Sequence, residues 1–468
     1  MTAAQSPLIR VLPPALMFSL AASLGWIIPD FGWFVVAGVI GLPLLVLVLG
    51  RPLVGAALLA ATLPLESLLT VGDSITGTRL LGVVIFALWS IHKLFRPQGL
   101  RKIFTHRHFQ AAVLVLAVAS LSTLWAFYVI DAYLGLLSLL QLILFSVLIL
   151  DVVDSWPKIE LFAKVLLLMG VVTAVLTLQQ YYLENVRRAG GDIAGGINGT
   201  AAMLVSILPF ALYLVRAGRG FWRVAGIVYL PVSVWAVAVT FSRTSYLLLV
   251  AVGLVQLALA LRDRRRISVL LAVVLVLVLI ANFLPQEAIR SRVETIVPAI
   301  TNMFDTVSGR GTVTKADSRA FHWAVGFQMF RDNPLLGTGY NNYGRHFLHY
   351  QNRVPNPDQY YVGIRSAHSS YVAFLANQGL VGLMVWLGFF ALTGAAVVRL
   401  WRRLSCYAGS REFLLVETLG IIFLIHLLYG FSSLVHQEKL FWMNLGLLAA
   451  SARIADNEQL QREEASTT

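Results

Sequence analysis

Residues 380–398 read LVGLMVWLGFFALTGAAVV, a run of nineteen residues without a charged side chain. An α-helix rises 1.5 Å per residue, so such a run extends about 28 Å, close to the roughly 30 Å hydrocarbon core of a bilayer. Runs of this kind recur from one end of the sequence to the other. The pattern predicts a bundle of membrane-spanning helices.

The composition excludes a water-soluble fold. Of 468 residues, 58% are hydrophobic and only 13% are charged, whereas soluble domains carry about 25% charged residues. Transmembrane β-strands would give alternating segments of about 10 residues, and the runs here are continuous. The predicted fold class is therefore all-α, a polytopic transmembrane helical bundle.

Apolar runs that could cross the membrane occur throughout the chain. Some contain only about 17 residues, which is marginal for a crossing, so we expect about 12 to 14 spans. Arg10 precedes the first run without a convincing cleavage site, which favours a first span over a cleaved signal peptide. The runs lie near residues 11–28, 33–49, 53–70, 80–95, 110–128, 133–150, 160–182, 199–215, 224–241, 245–261, 267–284, 380–398, 413–433 and 440–453.

Positive residues indicate the orientation, because short cytoplasmic loops retain Lys and Arg. The intervening connections carry Asp30, Asp73, Asp131 and Glu184 with few cations. This pattern predicts an inner-membrane protein with both termini in the cytoplasm and with residues 285–367 on the outer face of the membrane. The cations that mark the cytoplasmic side are Lys93, Arg96, Arg101, Lys102, Arg107, Arg216, Arg219, Arg223, Arg262, Arg264, Arg265, Arg266, Arg399, Arg402, Arg403 and Arg411.

The net charge of +13 does not require a nucleic-acid partner. Basic loops that face an anionic leaflet account for most of this charge, so membrane lipids are the predicted surface partner and nucleic acid is not. The single cysteine, Cys406, excludes an internal disulfide. The polar tail, residues 455–468, is expected to be disordered.

Residues 285–367, called the outer segment below, are too long for a simple connection. Connections of more than about 15 residues are usually functional or disordered. Its aromatic residues and helix signals argue against disorder. Asp317 or Ser318 can cap a helix over residues 319–331, and Pro334 then stops it. We therefore expect an N-terminal transmembrane bundle, a periplasmic region with short helices, and C-terminal helices with a cytoplasmic tail, over residues 1–284, 285–379 and 380–468.

A turn-rich stretch, GTGYNNY at residues 337–343, follows this helix. Its two glycines form a GxG pattern that can cradle a phosphate group. Because Gly337 and Gly339 come just after a helix end, an ordinary turn is the favoured interpretation.

A candidate general base lies in the stretch RSAHSSY, residues 365–371. Ser366 or Ser369 can cap a short helix over residues 369–378, and Gly379 fits the position after its C-terminus. His368 would then lie at the positive end of the helix dipole, which disfavours imidazolium and keeps the ring neutral. The alternative is that His368 is only a hydrogen-bonding cap.

Several arginines fall in segments predicted to face outward, where cations should be rare. They are Arg187, Arg188, Arg243, Arg319 and Arg365. The planar guanidinium group binds phosphate oxygens in a bidentate manner, so a lipid-linked phosphate or diphosphate is the natural ligand. For Arg243, which lies at the outer end of two successive spans, snorkelling to the interface is an alternative.

Other ionisable residues in the spans form no evident relay and are interpreted as structural; they are Glu66, His92, Lys164, Glu417 and His426. No set of Asp, Glu or His residues shows metal-ligand spacing, and nucleotide-binding fingerprints are absent from the sequence. No cofactor and no metal are predicted.

The outward-facing pieces together resemble the O-antigen ligase family, within a superfamily that also contains O-antigen polymerases and protein O-oligosaccharyltransferases. The resemblance covers about residues 185–400 and rests on the order, spacing and common placement of four pieces. These are RRAGGDIAGGINGTAAM (187–203), TFSRTSYLLL (240–249), DSRAFHWAVGFQMFRDNPLLGTGYNNY (317–343) and AHSSYVAFLANQGLVG (367–382).

The resemblance implies a role for each matching residue. The essential histidine of the family corresponds to His368, the arginine between two spans to Arg243, the arginine of the outer-loop helix to Arg319 and, less closely, the arginine before the Gly-rich span to Arg188. Family members often have Asn after the histidine, whereas this chain has Ser369, which leaves the role of that neighbour open. The implied reaction moves a polysaccharide from undecaprenyl diphosphate to lipid A-core oligosaccharide, at the periplasmic face and without metal.

Three alternatives remain at this stage. An O-antigen or exopolysaccharide polymerase would use a similar donor but another lipid-linked glycan as acceptor. A protein O-oligosaccharyltransferase would use a protein acceptor. A lipid or sugar transporter should instead show ionisable groups near the midplane and repeated halves, and neither is apparent in the sequence.

Overall fold

The computed structural model describes Val48 and residues 51–71, 75–95, 106–261, 286–295, 318–354 and 362–467. Apart from Val48, the predicted spans 11–28, 33–49 and 267–284 lie outside these residues. In the described part of the chain the α-helices are α1 (Pro52–Thr62), α2 (Gly77–Phe95), α3 (Arg107–Ser122), α4 (Val129–Val152), α5 (Trp156–Tyr182), α6 (Gly196–Ala217), α7 (Phe221–Thr240), α8 (Arg243–Ala260), α9 (Gln286–Glu294), α10 (Ser318–Asp332), α11 (Tyr343–Tyr350), α12 (Ser370–Leu404), α13 (Arg411–Tyr429) and α14 (Lys439–Thr467).

Short elements connect or extend these helices. A two-stranded antiparallel hairpin, β1 (Thr70–Val71) and β2 (Ile75–Thr76), precedes α2. The 3-10 turns are Leu63–Leu69, Thr123–Trp125, Gln351–Arg353, Ser405–Tyr407 and Val435–Gln437.

Within the described residues, ten helices are long and apolar enough to cross a membrane. This confirms the all-helical, multi-pass class. The region predicted as a span over 440–453 belongs to α14, which is not among the ten. Its apolar half is nevertheless buried in the protein core, from Leu440 to Ala455.

The expectation of a disordered tail was wrong for most of its length, because α14 continues to Thr467. Contacts from the polar half hold it to the bundle. Arg403 pairs with Asp456 at 2.6 Å, and the Trp156 indole donates to Glu458 at 2.8 Å.

The membrane-spanning helices differ in how deeply they are buried in the bundle. In the most apolar stretch of α6, 78% of the residues are buried inside the protein, against 22% in the corresponding stretch of α2. Helix α6 is packed against α5, α7, α8 and α13, so it forms the centre of the bundle, whereas α2 exposes most of its surface to the surroundings. Ionisable side chains within the spans form structural ion pairs, including Glu160 with Lys164 and Arg216 with Glu417.

The outer segment has a hydrophobic core of its own, formed by α10, α11 and the first half of α12. Helix α10 has nearly the predicted bounds, and its buried side chains include Phe321 and Met329. A Cβ atom added to Gly326 would lie 2.4 Å from Val372 Cγ1. Only glycine permits so close an approach of α10 to α12.

The turn that follows α10 docks onto α12 through backbone hydrogen bonds. Thr338 N–H donates to Ala376 O at 2.9 Å, and Leu380 N–H donates to Pro334 O at 2.8 Å. A Cβ atom on Gly337 would lie 2.4 Å from the backbone of Asn377. The glycines of this stretch therefore serve close packing, as an ordinary turn requires.

Helix α12 consists of two helical segments that meet at a break, a short one before Gly379 and a long apolar one after it, as predicted. The break predicted at Gly379 is present as a kink, with φ of +64° in the left-handed region. A Cβ atom there would lie 2.3 Å from the backbone of Leu335. The break is stabilised because the amides of Leu380 and Val381 donate to the carbonyl oxygens of Pro334 and Leu335 in the docked turn.

Replacing Gly326 by Val should lower the free energy of unfolding by about 1–3 kcal/mol, because the added side chain overpacks the contact with Val372. Thermal unfolding of the purified protein in detergent measures the change. Gly253→Val is the matched control, since a Cβ atom at this helical glycine meets nothing within 4 Å. Equal stability of the two variants would contradict the close-packing role.

Candidate functional site

His368 is held in an unusual backbone conformation directly before α12. Its φ of +49° lies in the left-handed region, which costs a residue other than glycine about 1–3 kcal/mol and is common at functional sites. The His368 N–H donates to Ser366 Oγ at 3.2 Å, and Ser369 caps the helix by accepting from Val372 N. Both serines considered as caps thus fix the histidine backbone.

The same segment is clamped to the loop that follows α13. Ser370 N–H donates to the carbonyl oxygens of Gly430 at 2.8 Å and Ser433 at 2.9 Å. Ser370 Oγ also donates to Ser433 O at 3.0 Å. The start of α12, and His368 with it, is therefore positioned by the transmembrane core as well as by the outer segment.

The His368 side chain is partly open to solvent and partly surrounded by protein. Its ring meets the ring of His322 edge-on, with centroids 5.0 Å apart. Partial burial, then the positive charges of Arg319 and Arg365, lower the pKa of His368 below its usual value. The imidazole is therefore neutral at physiological pH and can accept a proton.

His322 forms the inner wall of this site. It is only 3% exposed and stacks on Phe347 at a centroid distance of 4.8 Å. Burial, followed by the charges of His368, Arg365 and Arg319, lowers the pKa of His322 to about 3. This second histidine is thus a neutral packing partner of His368 and not a proton acceptor at physiological pH.

Arg319 extends from α10 to the first turn of α8. Its guanidinium group donates to Thr244 Oγ1 at 2.7 Å. Burial lowers the pKa of Arg319; proximity to Tyr429 acts in the opposite direction, and the charges of Arg243 and Arg188 lower it further. An arginine remains cationic in proteins. Arg188, Arg243 and Arg319 are therefore positive charges within electrostatic range of one another.

Arg243 and Arg188 complete this cluster at the N-terminus of α8. Arg243 is the first residue of α8, and its guanidinium group donates to Thr295 O at 3.4 Å. Arg188 Nε donates to Thr240 O at 3.3 Å, at the end of α7. Arg188, Arg243 and Arg319 together are called the arginine cluster below.

The arginine cluster coincides with the positive end of a helix dipole. Ser242 caps α8 by accepting from Ser245 N, and Phe241 makes the sharp turn between α7 and α8 with φ of +53°. A helix N-terminus attracts anions through its backbone N–H groups and its dipole. Guanidinium groups near this helix end add donors of the kind that bind phosphate oxygens.

The two remaining candidate arginines lie on different sides of the arginine cluster. Arg187 is exposed and, with Arg188, lines a cavity of about 700 Å³ that also contacts Phe241 and Thr295. Arg365 is exposed and acts electrostatically on both histidines. The structure thus brings Arg319 and Arg365 close to His368, and places Arg187 at the rim of the cavity beside the cluster.

Two elements of this site were not predicted from the sequence. His322 lies three residues after Arg319, so helical spacing could have placed both side chains on one face of α10. Tyr429, which is within electrostatic range of Arg319, comes from a distant helix, and no local pattern points to it. Among the residues that the structure describes, no group of three or more His, Cys, Asp or Glu side chains is arranged to hold a metal ion.

These features describe a multi-pass membrane protein in which clustered arginines lie within electrostatic range of one another and of a histidine whose pKa is lowered. The family model described as O-antigen ligase matches residues 226–387, which include Arg243, Arg319, Arg365 and His368. The match confirms the resemblance of this region to the O-antigen ligase family. Among curated proteins there is no significant match.

Replacing Arg365 by Gln should raise the pKa of His368, because it removes one of the positive charges that lower it. NMR titration of ¹³C-labelled histidine side chains in detergent would measure the shift. Arg345→Gln is the control: Arg345 is also exposed but pairs with Asp131 at 2.7 Å, and it is not among the causes that shift His368. A fall in the pKa of His368 in Arg365→Gln would contradict the assigned geometry.

Proposed function

We propose that this protein transfers a polysaccharide from undecaprenyl diphosphate to a sugar hydroxyl of lipid A-core oligosaccharide. The family assignment supports a membrane enzyme of glycosyl transfer. The observation that carries the finer proposal is the placement of a neutral, partly open His368 within electrostatic range of Arg319, which belongs to the arginine cluster. A base for the acceptor and cations for the donor diphosphate are therefore adjacent.

The arginine cluster binds the diphosphate of the donor in this proposal. Breaking the bond between the anomeric carbon and the diphosphate oxygen leaves negative charge on the lipid diphosphate. Arg243 and Arg319, together with the N-terminus of α8, stabilise that charge as it develops. Since fixed arginines supply the positive charge, the reaction needs no metal ion.

His368 acts as the general base. The oxygen of the acceptor hydroxyl attacks the anomeric carbon while its proton passes to a ring nitrogen of His368, and the lipid diphosphate departs on the opposite face. A single displacement of this kind inverts the anomeric configuration. The lowered pKa of His368 keeps the ring unprotonated and ready for this step.

The proposal also fixes an orientation. Both lipid-linked substrates project sugars into the periplasm, so the arginine cluster, His368 and the segment 285–367 face that side of the inner membrane. The basic connections then face the cytoplasm, as do both termini. Residues 285–379 act as the periplasmic region between the bundle, 1–284, and the C-terminal helices, 380–468.

His368→Ala should reduce the transfer rate by about 10²–10⁴-fold, because general-base catalysis contributes that factor. Purified protein would be incubated with undecaprenyl-diphosphate-linked O-antigen and lipid A-core, without added metal, and the joined product quantified. His349→Ala, which removes an exposed histidine of α11, should retain full activity. Full transfer by a folded His368→Ala variant would refute the base assignment. Product only with a second lipid-linked glycan would instead identify a polymerase.

Arg243→Ala and Arg319→Ala should each lower kcat/KM for the lipid-linked donor by about 10²–10³-fold, the effect of removing one donor to a developing oxyanion. Steady-state kinetics at varied donor concentration test this. Arg331→Ala removes an exposed arginine from the same helix as Arg319 and serves as control. Unchanged donor kinetics in Arg243→Ala would leave Arg243 as a snorkelling residue.

A further inference from the structure

A groove between α2 and α4 is separate from the arginine cluster. It encloses about 550 Å³ and is lined mainly by apolar side chains. Along α4 it runs from Leu134 to Leu148, which corresponds to about 21 Å of helix. Val83 and Leu134 line the groove and are more than half exposed. It therefore opens sideways, toward the position of the bilayer lipids. We call this space the membrane groove.

The membrane groove adjoins a second cavity that reaches the segment before His368. This second cavity, of about 350 Å³, shares Tyr340, Asn341, His436 and Gln437 with the groove. This connecting cavity also contacts Arg365, Ser366 and Ala367, the residues directly before His368. A continuous protein wall thus leads from the lipid-facing side of α2 and α4 to the segment that presents the candidate base.

The ends of this path differ in polarity. Within the membrane groove, hydrocarbon-type side chains such as Leu142 and Phe145 predominate. At the end that contacts Asn341, the lining includes Arg79, which is exposed, and Lys439, which pairs with Glu66. An apolar slot with cations at one end fits an amphiphile with acyl chains and an anionic head group.

We propose that the membrane groove binds the acyl chains of the lipid A-core acceptor and that the connecting cavity directs its sugar head toward His368. This inference rests on the proposed function. Both substrates stay anchored in the membrane, so each needs its own lipid path. The donor diphosphate is assigned to the arginine cluster, whose neighbouring cavity is lined from α5 and α9 and shares no lining residue with the membrane groove. The membrane groove is then the path for the acceptor.

The test fills the membrane groove with larger side chains. Ser138→Trp and Gly82→Phe place bulk on α4 and α2; a Cβ atom at Gly82 meets only Leu59 within 4 Å, at 3.9 Å, so the backbone tolerates the change. The matched controls are Leu137→Trp and Leu80→Phe. These residues lie on the same helices and are exposed, but they do not line the groove.

With lipid A-core as acceptor, the groove-filling variants should raise the acceptor KM at least about tenfold, since loss of a few buried methylene contacts suffices for that factor. The KM for the lipid-linked donor should stay within about twofold of the wild-type value, a change too small to indicate a lost contact. With deacylated core oligosaccharide as acceptor, the variants should equal the wild type. This last result also shows that the variants are folded and active. The controls should match the wild type throughout.

The possible failures are distinguishable. If wild-type protein forms no product with lipid A-core, the proposed function is wrong and the inference falls with it. If wild-type protein is active but neither groove-filling variant changes the acceptor KM, only the groove assignment is wrong. A raised donor KM with an unchanged acceptor KM would also overturn the assignment, because the groove would then hold the polyprenyl chain. Equal losses with acylated and deacylated acceptors would reduce the effect to a structural one.

Discussion

The hydrogen bond from Arg319 to Thr244 joins the two parts of this protein. It links the outer helix α10 to the first turn of α8, at 2.7 Å, in a region where Arg243 and Arg188 add further positive charge. Like charges held at partly desolvated positions repel one another. A bound anion would relieve that repulsion, which is the physical reason for assigning the donor diphosphate to this site in the proposed function.

Helix α12 fixes the position of His368 relative to both parts of the protein. Its N-terminus is clamped by Gly430 and Ser433, its kink at Gly379 receives the turn after α10, and its second half is long and apolar enough to cross the membrane. The left-handed backbone of His368 is tolerated because hydrogen bonds on both sides over-determine it. The candidate base is therefore fixed relative to both the outer core and the bundle.

The sequence predicted those features of the fold that depend on local signals, such as helix ends and breaks. The predicted cap at Asp317 or Ser318 and the stop at Pro334 placed α10 within a residue of its observed bounds, and the glycine at position 379 marked a real break in α12. The extension of α14 to Thr467 was missed because a polar tail carries no hydrophobic period, and its contacts with Arg403 and Trp156 are long-range.

In the candidate site, too, local signals were predictable from the sequence and long-range contacts were not. The charge pattern of the connections predicted that these arginines share one side of the membrane, but which of them approach one another depends on tertiary packing. Arg187 and Arg188 are neighbours in sequence, yet only Arg188 acts on Arg319. The positive φ of His368 was not predictable either, because the sequence shows no glycine or asparagine at this position.

The partial exposure of His368 has a chemical consequence for a transfer reaction. A base that can take a proton from a sugar hydroxyl can also take one from water, and water reaches an open site freely. Transfer then prevails over hydrolysis only if the acceptor head displaces water from the space around His368. The connecting cavity, whose lining includes Arg365, Ser366 and Ala367, lies beside that space and would hold the acceptor head in the proposed arrangement. In the proposed mechanism, two separate lipid paths that lead to one partly open histidine would therefore couple proton removal to the presence of the second substrate.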